Sequence, residues 1–122
     1  MTQEKITATI TSAMNSLNNS IKAYGEKDEK QVAGFVWSVV AELEYALFLL
    51  SIEHQGEIET SSWKTSSHSK EVEIELTLSS ARDLLKEAKS GVEANDLYEA
   101  YKRTWMARNH LLKVQEALEK KK

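Results

Sequence analysis

Apolar residues recur at alternating intervals of three and four in four stretches of the chain, and no proline interrupts them. Leu97, Ala100, Thr104, Ala107, Leu111, Val114 and Leu118 fall on one stripe of a helix. This rhythm keeps one face turned toward neighbouring helices and predicts an antiparallel helical bundle. The first stretch predicts a helix over about residues 2–24, with Ile6, Ile10, Met14, Leu17, Ile21 and Tyr24 as its stripe. Gly25 follows where a left-handed C-terminal cap would stand.

Asp28 and Gln31 form a capping box that opens a second helix, expected over about residues 28–54. Val32, Val36, Val39, Leu43, Ala46 and Leu50 make one stripe; Trp37, Ala41, Tyr45, Phe48 and Ile52 make another. A helix apolar on two faces is either central in its own domain or shares a face with another chain. Trp37, Tyr45 and Phe48 are most simply read as core. The excess equally points to a homo-oligomer through this helix.

Residues 55–69 break the rhythm. Gly56 and the Ser/Thr clusters around Trp63 predict a long crossover loop, because hydroxyl side chains compete for backbone hydrogen bonds. Residues 71–78 alternate and would suit a strand paired with residues 57–65, yet Ile74, Leu78, Ala81, Leu85, Ala88 and Val92 continue one helical stripe. The favoured reading is a helix over about 70–92, ended by Gly91 and Asn95. Asp96 and Glu99 form a second capping box, opening a last helix over about 96–120. The expected fold is one all-α domain over residues 1–122, an up-down-up-down four-helix bundle with no evident repeat between its two hairpins.

Composition narrows the function classes. A hydrophobic share of 41% and a charged share of 29% are ordinary for a globular chain. The absence of cysteine removes disulfides, thiolate catalysis and cysteine-ligated zinc. Met1 to Lys5 lead into a polar helix pattern without a basic-then-apolar signal, and the most apolar run, Ala46 to Ile52, falls short of the roughly 20 residues that span a bilayer. A cytoplasmic protein without membrane contact is the expectation. The net charge of −3 argues against general polyanion binding. Its distribution is uneven: residues 26–59 are acidic, and residues 95–122 carry Lys102, Arg103, Arg108, Lys113 and three terminal lysines.

No phosphate-cradling glycine loop, nucleophile elbow or metalloprotease helix occurs, and His54, His68 and His110 stand in different segments. No metal or cofactor is expected. Arg103 and His110 share a helical face seven residues apart, about 10.5 Å along the axis. This Arg-x6-His spacing late in a helical domain resembles the HEPN family, whose members with that motif often act as metal-independent ribonucleases. The resemblance covers about eight residues plus the fold class, and Thr104 stands where the family commonly has Asn, Asp or His. It would imply His110 in proton transfer and Arg103 on the phosphate. Tyr98, Tyr101 and Trp105 interleave with Lys102, Arg103 and Arg108, a composition typical of interaction hot spots and able to stack bases. Trp63, amid polar residues, joins no stripe.

The reading that follows is a non-enzymatic adaptor or accessory subunit working through helix faces. Trp63, Tyr98, Lys102, Arg103, Trp105 and Arg108 are its candidate partner contacts, and the partner is a protein. The alternatives are a nucleic-acid-directed protein, as an Arg103/His110 ribonuclease or a subunit binding through the basic last helix, and a bundle holding a small ligand under Trp37 and Tyr45.

Overall fold

The computed structural model describes residues 2–54 and 73–120. They form α1 (Thr2–Gly25), α2 (Glu29–Glu53), α3 (Ile74–Glu93) and α4 (Leu97–Lys120), an all-α four-helix arrangement without strands among the described residues. The stripe of each helix is buried. Val32, Val36, Val39, Leu43, Ala46 and Leu50 of α2 are fully enclosed, as are Leu78, Ala81, Leu85 and Ala88 of α3. Residues 74–78 are helical, so the strand reading of that stretch fails. The expected loop 55–69, with Trp63, lies outside the described residues.

α1 packs on α2 and α3, and α4 packs on α2 and α3. The directions depart from the expected up-down-up-down order. Gln3 Nε2 donates to Asn95 Oδ1 at 2.7 Å, so the start of α1 meets the end of α3. His54 at the end of α2 meets Tyr98 at the start of α4, with ring centroids 6.1 Å apart. The order is therefore up-down-down-up, and every neighbouring pair is antiparallel. His54 and Glu73 consequently lie at opposite ends of the bundle, roughly 37 Å apart for a 25-residue helix. That separation gives the long connection its purpose, since a short turn could not join these ends.

Both hairpins turn by the same device. Asp28 N–H donates to the Ala23 carbonyl and Lys27 N–H to the Tyr24 carbonyl; Asp96 and Asn95 do the same to Gly91 and Val92. These are Schellman caps, each with a left-handed residue, Lys27 or Asn95, both at φ 61°. The left-handed position is thus Lys27 rather than Gly25. The aspartate that follows then caps the next helix: Asp28 Oδ1 accepts from Gln31 N–H at 3.2 Å, and Asp96 Oδ1 from Glu99 N–H at 3.3 Å.

The correspondence extends through the core and reveals a repeat that is not evident in the residue types. Ile6, Ile10, Ala13 and Leu17 are matched, 68 positions on, by Ile74, Leu78, Ala81 and Leu85, all buried. Val36, Leu43 and Leu50 of α2 are matched at the same offset by Thr104, Leu111 and Leu118 of α4. With α1 antiparallel to α3 and α2 antiparallel to α4, an approximate two-fold axis relates the hairpins. Smaller side chains adjust the buried stripe of α1 toward Ala13, Ser20 and Ala23, leaving Met14, Ile21 and Tyr24 half-buried on its edge.

Candidate functional site

The principal surface feature is the outer face of α2. Trp37 is 69% exposed, Phe48 and Ile52 are each 59% exposed and Tyr45 is 46% exposed, with exposed Gly34 and Ala41 on the same ridge. This corrects the expectation that Trp37, Tyr45 and Phe48 belong to the core. The physical reason is angular: the buried stripe already fills the interior, and the second stripe lies on the opposite side of the helix. No charged residue occurs between Lys30 and Glu42 or between Glu44 and Glu53.

The face continues onto α4. Arg108 Nη1 donates to Glu44 Oε1 at 2.7 Å and Tyr98 meets His54, so this flank of α4 adjoins α2. Trp105 and Leu112 follow Tyr98 at intervals of seven, which keeps all three on that flank. Trp105 is half-buried, and Leu112 and Tyr98 are exposed. Near the start of α2, an open groove of about 580 Å³ runs beside Trp37, walled by Lys30, Ala33, Gly34, Gln115 and Leu118. Its walls are mainly apolar. Trp37 borders this groove and Tyr45 does not line it.

The internal repeat supplies a control for this face. The positions of α4 that correspond to Gly34, Ala41, Tyr45 and Phe48 hold Lys102, Asn109, Lys113 and Glu116. Trp37 corresponds to Trp105, so it is at the other four positions that folding a hairpin of this type does not require apolar residues. α2 is also long and apolar enough to cross a membrane by length and composition. Nine of its residues are buried, six of them fully, so one side of α2 belongs to the bundle's core.

The candidate contacts proposed from the sequence do not form one cluster. Tyr98, Trp105 and Arg108 share the α2 flank, whereas Arg103 lies on the α3 flank, bridging Glu87 at 3.5 Å and Glu99 at 3.2 Å. Lys102 lies between the two groups on the helix surface. Trp63 lies outside the described residues. His110 shares Arg103's flank, and its Nδ1–H donates to the Met106 carbonyl at 2.9 Å. That bond leaves Nε2 as the nitrogen able to accept a proton. Arg103 and Arg108, the cations expected to meet phosphate, are each engaged with a carboxylate. Among the described residues no group of three acidic or histidine side chains is placed to hold a metal ion.

Sequence reasoning finds the second stripe of α2 but leaves it between the interior, the simplest place for Trp37, Tyr45 and Phe48, and a face shared with another copy. The signal that separates the readings is comparison with α4 at the offset of 68, which requires knowing the register of both hairpins. No protein-family model matches the chain, and neither a curated protein nor a solved structure matches it.

Proposed function

We propose that this protein is a non-enzymatic interaction module, an adaptor or accessory subunit that engages a protein partner through the α2–α4 face. One observation carries the reading: Tyr45, Phe48 and Ile52 continue the exposed Trp37 as an apolar ridge, where the corresponding helix, after Trp105, holds Lys113, Glu116 and Lys120. Depletion of charge with enrichment of aromatic residues is the composition of interface centres. The sequence-based contacts on this flank, Tyr98, Trp105 and Arg108, extend the face; Arg103 and Lys102 fall outside it.

The nucleic-acid reading has less support. Arg103 and Arg108 would have to exchange carboxylate partners for phosphate, and along the ridge only Lys30, at its end, could release counterions. Site-specific photocrosslinking tests the proposal. A photoreactive phenylalanine analogue at Phe48 should yield protein adducts in the native host, and the same group at Glu116 should yield few. Equal labelling at both positions would refute an interface on α2.

A further inference from the structure

The residues along the exposed ridge are arranged symmetrically about Ala41. Trp37 and Tyr45 stand four positions to either side, Gly34 and Phe48 seven, and Lys30 and Ile52 eleven. An antiparallel copy of α2 crossing at Ala41 would place each member of a pair opposite the other. Trp37 would meet an aromatic ring, and the large Phe48 would meet a glycine. Gly34 has room for it: a Cβ there would meet nothing within 4 Å. Gly34 also walls the groove beside Trp37, so each copy has both an apolar knob and a place to seat one. This is the self-complementarity that a two-fold interface requires, since residue i then touches j while j touches i.

Resting on the interaction reading above, we propose that the partner is a second copy of this chain, packed α2 against α2 about a two-fold axis at Ala41. Phe48 of each copy then seats over Gly34 of the other, and the Ala41 pair sets a close helix approach. The area fits. Four aromatic side chains with Ile52 and Leu112, at their observed exposures, offer on the order of 600 Å² of apolar surface per copy. That is at the upper end of the largest patches that lone proteins expose, roughly 300–600 Å², and a standard interface takes about 800 Å² from each partner, which the polar rim can complete. The rim argues against a membrane as occupant: Glu29, Glu44 and Glu119 border the face, opposed by Lys30 and Arg108. A helix lying on anionic lipid carries Lys and Arg on its flanks instead.

The test uses the full chain and sedimentation from low to high micromolar concentration. The expected result is a dimer. The chain has no cysteine, so Ala41→Cys introduces a single thiol, and oxidation should yield a disulfide-linked dimer. Helices packed 8–10 Å apart bring facing Cα atoms within disulfide reach. Asn109→Cys, at the corresponding position of α4, should remain uncrosslinked. Gly34→Leu should give a folded monomer that melts close to the dilute wild type, because a Cβ at Gly34 meets nothing in its own chain while the larger side chain blocks the partner's seat. Phe48→Glu should weaken dimerisation by roughly thirtyfold or more, the effect of losing a hot spot.

A dimer that keeps its mass in Gly34→Leu, or fails to crosslink at Ala41, overturns the proposed packing. A wild-type monomer at high micromolar concentration overturns self-association altogether. In that event an apolar dye separates the two readings. Dye binding lost in Phe48→Glu leaves the face open for an unlike protein and preserves the interaction reading, whereas dye binding indifferent to Phe48 overturns both.

Discussion

Phe48 and Glu116 occupy the same position of the two hairpins, both exposed, one apolar and the other charged. Their buried neighbours five positions earlier, Leu43 and Leu111, are identical and fully enclosed. The fold thus constrains position 43 and leaves position 48 to another task. Phe48→Glu, which copies α4, should change the stability of the dilute monomer by no more than about 0.5 kcal/mol. Leu43→Ala should cost about 2–5 kcal/mol through lost burial and a residual cavity. Urea unfolding at low protein concentration checks both; comparable losses would mean that Phe48 belongs to the core.

Much of this architecture is legible in the residues. Four helices, their stripes and both aspartate caps follow from period and capping chemistry, because each depends on residues within a few positions of one another. The direction of α3 is not local. It is fixed by contacts such as Gln3 with Asn95, 92 positions apart, and the residue types do not announce that pairing. The second stripe of α2 is visible too, but periodicity records only that a face is apolar. Whether that face is covered depends on how much interior the other three helices already fill. The scattering of Arg103 and Arg108 to opposite flanks of α4 has a similar origin, since five residues turn a helix by about 500°, or 140° net.

Two glycines inside helices should respond oppositely to one substitution. A Cβ at Gly34 meets open space, so Gly34→Ala should stabilise the dilute monomer by about 0.5–1 kcal/mol through helix propensity. A Cβ at Gly91 would lie 3.2 Å from both the Ala100 nitrogen and the Asp96 carbonyl oxygen, backbone atoms that yield little. Overpacking should exceed the propensity gain there, for a net loss of about 1 kcal/mol. Urea midpoints at unchanged slope report the two signs, and a stabilised Gly91→Ala would show that α3 and α4 can separate without cost.

The two Schellman turns differ at their left-handed residue. Asparagine at 95 tolerates a positive φ, whereas lysine at 27 carries the full steric penalty of its Cβ. Lys27→Gly should therefore stabilise the chain by about 0.5–1 kcal/mol, the relieved strain less the entropy glycine loses on folding. Thermal melts against Asn95→Gly, where the gain should be smaller, test the assignment.

Glu44 and Arg108 join α2 to α4 at 2.7 Å, but Glu44 is more than half exposed to water. Screening limits such a pair, and a double-mutant cycle should assign it about 0.2–1 kcal/mol, falling as salt rises. A coupling well above that range would indicate a drier seam than the exposed ridge beside it suggests.

The last helix separates the binding reading from the ribonuclease reading. Arg103 bridges Glu87 and Glu99, so a phosphate approaching it must displace two carboxylates that already neutralise the guanidinium. His110 is tied through Nδ1 to its own helix, which orients the ring while supplying no partner that would activate a nucleophile. Purified protein is therefore expected not to cleave RNA, and Arg103→Ala and His110→Ala should alter neither RNA binding nor self-association. Both variants should melt close to wild type, since the interactions removed are exposed ion pairs and one local hydrogen bond. Fluorescent RNA incubated with wild type and each variant gives the answer directly: cleavage by the wild type that disappears in His110→Ala, with melting unchanged, would establish the enzyme and reduce the α2 face to its assembly surface.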